Sequence, residues 1–201
     1  ELDGHQLECL RHVKDLGVTV SSDLTWTKHI EVIVAKANKT LGLIKRLLKN
    51  TSDLKVRKIL YCTLVRPILE YACNLWSPYT IKHRQLIENV QRRASKFILN
   101  YPQDLKYADR LIKIKILPLE FRRDISDLCL IFKSRNGEIT LDVNNFINIY
   151  NPGYKSRNYD LNNYNIIIKH KQDYFRNSFF IRSVELWNTL PSYIKSSSTL
   201  S

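Results

Sequence analysis

Apolar residues recur every three or four positions along the first half of the chain, the spacing that places them on one face of a helix. The first such stripe predicts a helix from about Trp26 to Asn50. Its apolar members are Ile30, Ile33, Val34, Ala37, Leu41, Ile44, Leu47 and Leu48. Most of the other faces are polar or charged, so we expect one side in the core and the other in solvent.

The next pattern, Leu54 to Trp76, is apolar on nearly every side, which is typical of a helix that is buried by its neighbours or crosses a membrane. Charged residues interrupt it too often for a bilayer, which requires about 20 apolar residues with few charges. We therefore predict the central helix of a bundle, with Ile59 and Leu64 among its core positions. Pro67 predicts a kink near Thr63 to Arg66.

A third pattern predicts a helix from Thr80, as N-cap, to about Leu99. One face is apolar, and basic residues occupy the others: Lys82, Arg84, Arg92, Arg93 and Lys96. Asp53 has the chemistry of an N-cap for the central helix. Three helices with short connections favour a compact antiparallel bundle.

Residues His5 to Ser21 alternate between apolar and polar and predict a β-hairpin, whose link we place at Val13 to Asp15. Gly17 interrupts the second strand. A lone glycine in a strand marks a bulge or the close approach of another backbone. The alternative is that it is a tolerated small residue.

Beyond Asn100 the periodicity is looser. Tyr107 to Ile116 fits a strand or a short helix, and Glu138 to Lys171 is irregular with at most a short strand at Ile166 to Ile168. Two segments predict helices: Leu119–Asn136, with Ile125, Leu128, Cys129 and Phe132 on one face and Gly137 as its stop, and Ser178–Leu190, closed by Pro191.

These elements predict a mainly α fold with an N-terminal β-hairpin, a three-helix bundle and a smaller helical and irregular C-terminal part. The predicted segments are the hairpin at 1–24, the bundle at 25–100, a helical connector at 101–137, and an irregular segment with a C-terminal helix at 138–201.

The 201 residues carry a formal net charge of +13. Fifteen Lys and Arg and four Asp and Glu lie between Lys28 and Lys96, a net charge of +11. Basic helical surfaces attract polyanions, and nucleic acid is the commonest of these. Part of the charge is structural, because cations in the last turn of a helix suit its dipole. A solvated face that keeps the protein soluble is the alternative.

No catalytic or metal-binding set can be assembled, and we predict no catalytic residue, no metal ligand and no cofactor for this chain. The five glycines are scattered, and the five histidines lack partners at ligand spacing; His29 is expected to be a helix-start residue. The four cysteines predict reduced thiols in an intracellular protein. We expect an Arg66–Glu70 ion pair and surface pairing of Asp124 and Asp127 with neighbouring arginines.

Short motifs follow one another through nearly the whole chain. They are Lys14-Asp15-Leu16-Gly17-Val18, Asp23-Leu24-Thr25-Trp26, His29-Ile30, Lys36-Ala37-Asn38-Lys39, Val65-Arg66-Pro67-Ile68-Leu69-Glu70-Tyr71, Trp76-Ser77-Pro78, Val90-Gln91-Arg92-Arg93-Ala94, Arg110-Leu111, Leu119-Glu120-Phe121-Arg122-Arg123, Lys133 with Asn136-Gly137, and Trp187-Asn188-Thr189-Leu190-Pro191. Each is unspecific alone. Their order and spacing resemble the region downstream of the polymerase motifs in reverse transcriptases of non-LTR (LINE-type, jockey-like) retrotransposons.

This resemblance implies that the hairpin is a primer grip, with Leu16 and Gly17 at its turn toward the primer strand, and that the bundle is a thumb. The catalytic aspartates of the family lie in the palm, before this region, and this sequence has no such motif. We therefore expect a piece of an RNA-directed DNA polymerase that is inactive alone, whose parent would need Mg. It would be intracellular, and nuclear when part of its parent element.

The resulting hypothesis is that the chain holds an RNA–DNA or DNA duplex through its sugar-phosphate backbone, beside the missing palm and fingers and away from membranes. The candidate contacts are Lys36, Lys39, Lys45, Arg46, Lys49, Lys55, Lys58, Arg92, Arg93 and Lys96. One alternative is a basic helical protein-interaction module that docks an acidic partner. Another is an enzyme in its own right, which measurable nucleotide incorporation or nuclease activity would reveal.

Overall fold

The computed structural model describes residues 9–50, 53–101, 104–141, 147–149, 164–166, 173–197 and 199. Contacts divide the chain into two compact units. The first unit contains the described residues of Glu1–Ala72 and Pro78–Leu119, and the second those of Cys73–Ser77 and Glu120–Ser201.

A two-stranded antiparallel hairpin opens the first unit, with β1 at His12–Asp15 and β2 at Val18–Ser21. Asp15 pairs with Val18, so the connecting turn is Leu16–Gly17. The predicted link at Val13 to Asp15 is therefore wrong, because those residues form the first strand. The part of the predicted hairpin before Cys9 lies outside the described residues.

Helix α1 spans Thr27–Leu47 and buries the predicted stripe of apolar residues except at its C-terminal end. Ile30, Ala37 and Leu41 are buried, whereas Leu47 is 73% exposed, so its predicted core position is wrong. His29 is more than a helix-start residue: it is buried, and its Nδ1 accepts a hydrogen bond from the backbone N–H of Thr19 at 3.2 Å. This bond ties β2 to α1.

The central helix is three consecutive segments: α2 at Leu54–Leu60, a π-helical turn at Tyr61–Val65, and α3 at Arg66–Glu70. Its buried positions, Arg57, Tyr61, Val65 and Leu69, are each four residues apart. In a regular α-helix that spacing drifts about 40° per step. The π turn carries an additional residue and therefore returns the later positions to the core.

The predicted kink coincides with this π turn. Pro67 lies in the first turn of α3, where its missing N–H leaves no helical hydrogen bond unmade. The prediction that the helix is buried on nearly every side is wrong at two positions, since Ile59 is 58% and Leu64 is 49% exposed. The helix also ends at Glu70 rather than at Trp76, and the Arg66–Glu70 pair is confirmed at 3.6 Å.

Helix α5 spans Ile81–Ile98 and packs on α1 and α2. The predicted caps are confirmed: Thr80 Oγ1 accepts from the N–H of His83, and the Asp53 carboxylate accepts from the N–H groups of Lys55 and Val56. The ambiguous segment after the bundle is a helix, α6, at Tyr107–Ile114.

A buried polar network joins α5 to the central helix and α6. Gln91 accepts from the Tyr61 hydroxyl at 2.7 Å and donates to the Leu117 carbonyl at 3.0 Å. Glu88 accepts from the Tyr107 hydroxyl and, at 3.1 Å, from the N–H of Leu119. These bonds satisfy polar groups that burial would otherwise leave costly, and they fix where α6 lies on the bundle.

The second unit contains five helices among its described residues and a short hairpin. The helices are α4 at Cys73–Trp76, α7 at Leu119–Arg135 (whose first residue belongs to the first unit), α8 at Asp173–Arg176, α9 at Phe179–Thr189 and α10 at Ser192–Lys195; the hairpin pairs β3 at Ile147–Ile149 with β4 at Tyr164–Ile166. The predicted stop at Gly137 is confirmed by its φ of 72°. Most of the predicted irregular segment lies outside the described residues.

The core of this unit explains the Trp187-Asn188-Thr189-Leu190-Pro191 motif. Trp187 is buried with Ile131, Phe132 and Val184. Asn188 accepts from the N–H of Tyr164 at 3.0 Å and donates to its carbonyl at 2.9 Å. The motif therefore attaches α9 to β4. On the predicted apolar face of α7, Phe132 is buried, whereas Ile125 is 47% exposed.

Asp127 is buried rather than paired on the surface, which corrects the prediction from the sequence. Its carboxylate accepts from Arg182 Nε at 2.8 Å and from Asn74 Nδ2 at 2.7 Å. Burial raises the pKa of this carboxyl, and the bonds from Arg182 and Asn74 partly offset that rise. The network joins α4, α7 and α9 within the second unit.

Together these elements confirm the mainly α fold with an N-terminal hairpin and a helical bundle. Among the described residues, none of the helices is both long and apolar enough to cross a lipid bilayer.

Candidate nucleic-acid interface

Three helix ends meet at one end of the bundle, around the ring of Phe97. Lys45, from the last turn of α1, has its Nζ 5.9 Å from the ring centroid, and the guanidinium of Arg57, from the start of α2, is 4.7 Å from it. Phe97 itself belongs to the last turn of α5. Because α1 and α5 end here and α2 begins here, basic residues distant in sequence become neighbours.

Six of the ten predicted contacts belong to these helix ends, and we call them the basic end. They are Lys45, Arg46, Lys49, Lys55, Lys58 and Lys96. All are exposed except Lys45 and Lys58, which are half-buried. Most of the predicted set therefore belongs to the three helix ends that meet at Phe97, although the sequence separates its outermost members by two helices.

The other four predicted contacts do not join that group. Lys36 is nine residues before Lys45. In an α-helix this spacing places the two residues about half a turn apart around α1 and roughly 14 Å apart along it. Lys39 lies between them and is exposed. Arg93 turns toward α1 and donates to Asn38 Oδ1 at 3.0 Å. Arg92 turns toward α6, with its guanidinium 4.2 Å from the Tyr107 ring centroid.

Arg57 is a residue that the sequence analysis counted only as an interruption. It is 4% exposed and donates from Nη1 to the carbonyl of Phe97 at 2.9 Å and to Asn100 Oδ1 at 3.3 Å. It therefore holds the end of α5 against the start of α2 from the inside. Its position in a nearly continuous apolar run was the only signal, and that signal does not distinguish a buried arginine from an exposed one.

The helix dipoles account for only part of the basic end. Lys45, Arg46 and Lys96 lie in last turns, where the partial negative charge of a helix C-terminus favours cations. Lys55 lies instead in the first turn of α2, where the dipole is positive and a cation is unfavourable. Asp53, the N-cap of α2, offsets part of this charge. The dipoles therefore explain the cations in the last turns of α1 and α5 but not Lys55.

The turn of the first hairpin is the second candidate surface. Leu16 and Gly17 both have positive φ, 44° and 88°, the combination required by a type I′ turn. Leu16 is 85% exposed, and its carbonyl accepts from the Tyr71 hydroxyl at 2.9 Å. The structure therefore confirms that Leu16 and Gly17 form the turn, while a contact with a primer strand stays a prediction.

Gly17 shows the close approach that its presence suggested, but the neighbour is a side chain. A Cβ at Gly17 would lie 3.4 Å from Tyr71 Cε1. No pattern in the sequence predicted a role for Tyr71, which is 55 residues from Leu16. Its motif, Val65 to Tyr71, was noted only as part of the resemblance.

No group of three or more His, Cys, Asp or Glu side chains that could hold a metal ion occurs within the described ranges. Fold and surface together define a basic, mainly helical protein in which a two-stranded hairpin precedes a three-helix bundle along the chain.

Comparison with known proteins adds one relative. Over 104 residues, 51% of the chain, the sequence is 27% identical to the probable RNA-directed DNA polymerase from transposon BS of Drosophila melanogaster. The chain covers 12% of that protein's length. No protein-family model and no solved structure matches the chain. The similarity supports a reverse-transcriptase-related protein.

Proposed function

We propose that this chain is the part of a non-LTR (LINE-type, jockey-like) reverse transcriptase that holds the template–primer duplex by its backbone. The observation that carries the proposal is the basic end, whose six Lys and Arg come from the three helix ends that meet at Phe97. The transposon polymerase that the chain resembles supports the same assignment. Lysine and arginine on a rigid bundle neutralise phosphates without reading base sequence.

The position of Lys55 strengthens this assignment. A cation in the first turn of α2 is unfavourable with its dipole, and the other cations of the basic end repel it. A bound polyanion would remove both costs. The phosphates of a duplex are spaced closely enough to contact several of these side chains at once.

The proposal is tested by the salt dependence of duplex binding. A fluorescent B-form DNA duplex is titrated with the 201-residue chain and the dissociation constant is measured by anisotropy at several salt concentrations. With about six phosphate contacts, log affinity should fall with log salt at a slope near −5. A slope near zero would overturn the proposal.

A matched pair of triple variants assigns the slope to the basic end. Lys49→Gln, Lys55→Gln and Lys96→Gln together should reduce the slope by about 2 to 3, since each lost phosphate contact removes about 0.9. The control removes the same charge from α6 and its flanks: Lys106→Gln, Lys113→Gln and Lys115→Gln. Equal slopes for the two triple variants would show that net charge, not this surface, binds the duplex.

Competition separates the proposal from the protein-interaction module considered above. Heparin should displace the duplex, and a neutral peptide should not. If the basic end docks an acidic protein instead, poly-glutamate should compete better than unlabelled duplex of equal charge. The chain alone is expected to incorporate no nucleotide, because phosphoryl transfer requires metal-binding carboxylates, which we expect, with Mg, in the palm of the parent polymerase.

A further inference from the structure

The turn of the first hairpin is held in place by a residue from the central helix. Tyr71 follows the last residue of α3, and its hydroxyl donates to the Leu16 carbonyl at 2.9 Å. Its ring lies against Gly17, within 3.4 Å of where a Cβ would be. One side chain thus contacts both residues of the turn.

Leu16 is an unusual residue for the first position of this turn. Type I′ turns strongly favour Asn-Gly, Asp-Gly and Gly-Gly, because positive φ at the first central residue is unfavourable for most side chains. Leu16 nevertheless has φ of 44° and leaves 85% of its surface in solvent. Strained, exposed residues of this kind are held in place by their surroundings at contact sites.

The rest of the hairpin is anchored so that the turn cannot move freely. Val18, directly after the turn, is 4% exposed. The N–H of Thr19 is bonded to the buried His29 on α1. Tyr71 supplies the remaining fixed point, at the turn itself. The hairpin is therefore bonded to α1 through β2, close to the turn, and to the residue after α3 at the turn itself.

We propose that Tyr71 is a positioning residue that presents the Leu16 side chain for contact with the bound nucleic-acid strand. The inference rests on the proposed function, since it supplies the ligand. The apolar Leu16 would pack on a sugar or base face, while the basic end neutralises phosphates. Tyr71 would act through Leu16 and not by its own contact with the strand.

Three variants of the full chain test this: Tyr71→Phe, Leu16→Ala, and both together. The first removes the hydroxyl but keeps the ring beside Gly17. We expect it to speed amide hydrogen exchange at the turn about two- to tenfold, the range given by loss of one neutral hydrogen bond. We expect both single variants to weaken binding of a duplex with a recessed 3′ end severalfold, with the salt slope unchanged.

The double variant distinguishes positioning from general stability. If Tyr71 acts through Leu16, the double variant should bind no more weakly than Leu16→Ala alone, because coupled residues are not additive. Tyr193→Phe, which removes a hydroxyl from a tyrosine that is 75% exposed, is the matched control and should change neither measurement.

Each outcome decides the matter. Additive losses in the double variant, or wild-type affinity for Tyr71→Phe with the normal salt slope, would overturn the inference and leave the proposed function standing. Absence of duplex binding by the wild-type chain would overturn both the proposed function and the role of Tyr71 in it. Unchanged exchange at the turn in Tyr71→Phe would overturn the positioning role by itself.

Discussion

In the first unit, the surrounding structure imposes the backbone conformation of Gly17 and the protonation state of His29. Gly17 has positive φ because the two-residue turn demands it, and His29 is buried because its ring nitrogen binds the backbone of β2. Gly17 matters for the backbone conformation that it permits, and His29 for the lone pair that accepts a hydrogen bond. The space that either side chain fills matters less. Substitutions there should therefore have effects that size alone does not predict.

Gly17→Ala should destabilise the first unit by about 1 to 2 kcal/mol, because an L-residue at positive φ meets the steric penalty of the left-handed region. Space is not the obstacle, since the added Cβ would make an ordinary contact with Tyr71 at 3.4 Å. The matched control is Gly42→Ala in α1, where a Cβ meets nothing within 4 Å. There, helix propensity should stabilise by about 0.5 to 1 kcal/mol. Urea denaturation of both variants measures the difference in sign.

His29 should make stability fall as the solution becomes acidic. Burial lowers the pKa of its imidazole below the ordinary 6.5, so the unfolded chain binds a proton that the folded chain excludes. The contribution of His29 to the free energy of unfolding is complete above pH 6.5. It is lost as the pH falls below 6.5, by up to about 1.4 kcal/mol per pH unit.

His29→Asn tests this, because the amide oxygen of Asn can accept the same bond but does not titrate. Denaturation of wild type and variant between about pH 5.5 and 7.5 should show a stability difference that moves against wild type on acidification. His83 is also partly buried, and its pKa is also lowered. The comparison therefore uses the difference between the stability curves of wild type and His29→Asn. A difference that is constant with pH would contradict the prediction.

At the scale of elements, polar networks decide where helices attach once apolar stripes have brought them together. Gln91 links α5 to the central helix and to the end of α6. The carboxylate of Asp127 does the same for α4, α7 and α9 in the second unit. Such contacts are specific because a buried polar group that loses its partner costs more than the bond contributes.

Arg182→Met should therefore destabilise the second unit by roughly 3 to 5 kcal/mol, because it removes the cation that is hydrogen-bonded to the buried Asp127 carboxylate. Asp127 is 1% exposed, and its carboxyl already has a pKa raised by burial. The exposed Arg176→Met is the matched control and should change stability by less than about 0.5 kcal/mol. Thermal denaturation of both, followed by circular dichroism, gives the comparison. Adding Asp127→Asn to Arg182→Met should recover part of the loss.

At the scale of the molecule, the division into units does not follow chain order. Cys73–Ser77 lies between two helices of the first unit but belongs to the second. Within that unit Trp76 is fully buried, and Asn74 bonds to Asp127. The segment between α3 and α5 thus depends for its structure on residues far along the chain.

A chain shortened to end at Leu119 should lose the ordered structure of Cys73–Ser77, since the rest of its unit is removed. Amide hydrogen exchange in peptides covering this segment should become much faster than in the full chain. Peptides from α1 should exchange as before, because their packing partners are retained. Unchanged protection of Cys73–Ser77 in the shortened chain would contradict the assignment of this segment to the second unit.

The sequence by itself determined the elements, because helix periodicity, capping and turn chemistry are local. The stripe of α1, the caps Asp53 and Thr80 and the stop at Gly137 all follow from residues within a few positions of one another. The same locality explains the misplaced hairpin link. Alternation over so few residues does not fix a register, whereas positive φ at Leu16 and Gly17 does.

Only the tertiary structure decided which charged side chains share a surface. Arg92 and Arg93 are adjacent in sequence, yet one packs on Tyr107 and the other bonds to Asn38. Lys45 and Arg57 come together because three helix ends meet around Phe97. Asp127 and Tyr71 find partners 55 residues away. Contacts of such separation depend on how whole helices pack, and no local pattern encodes that packing.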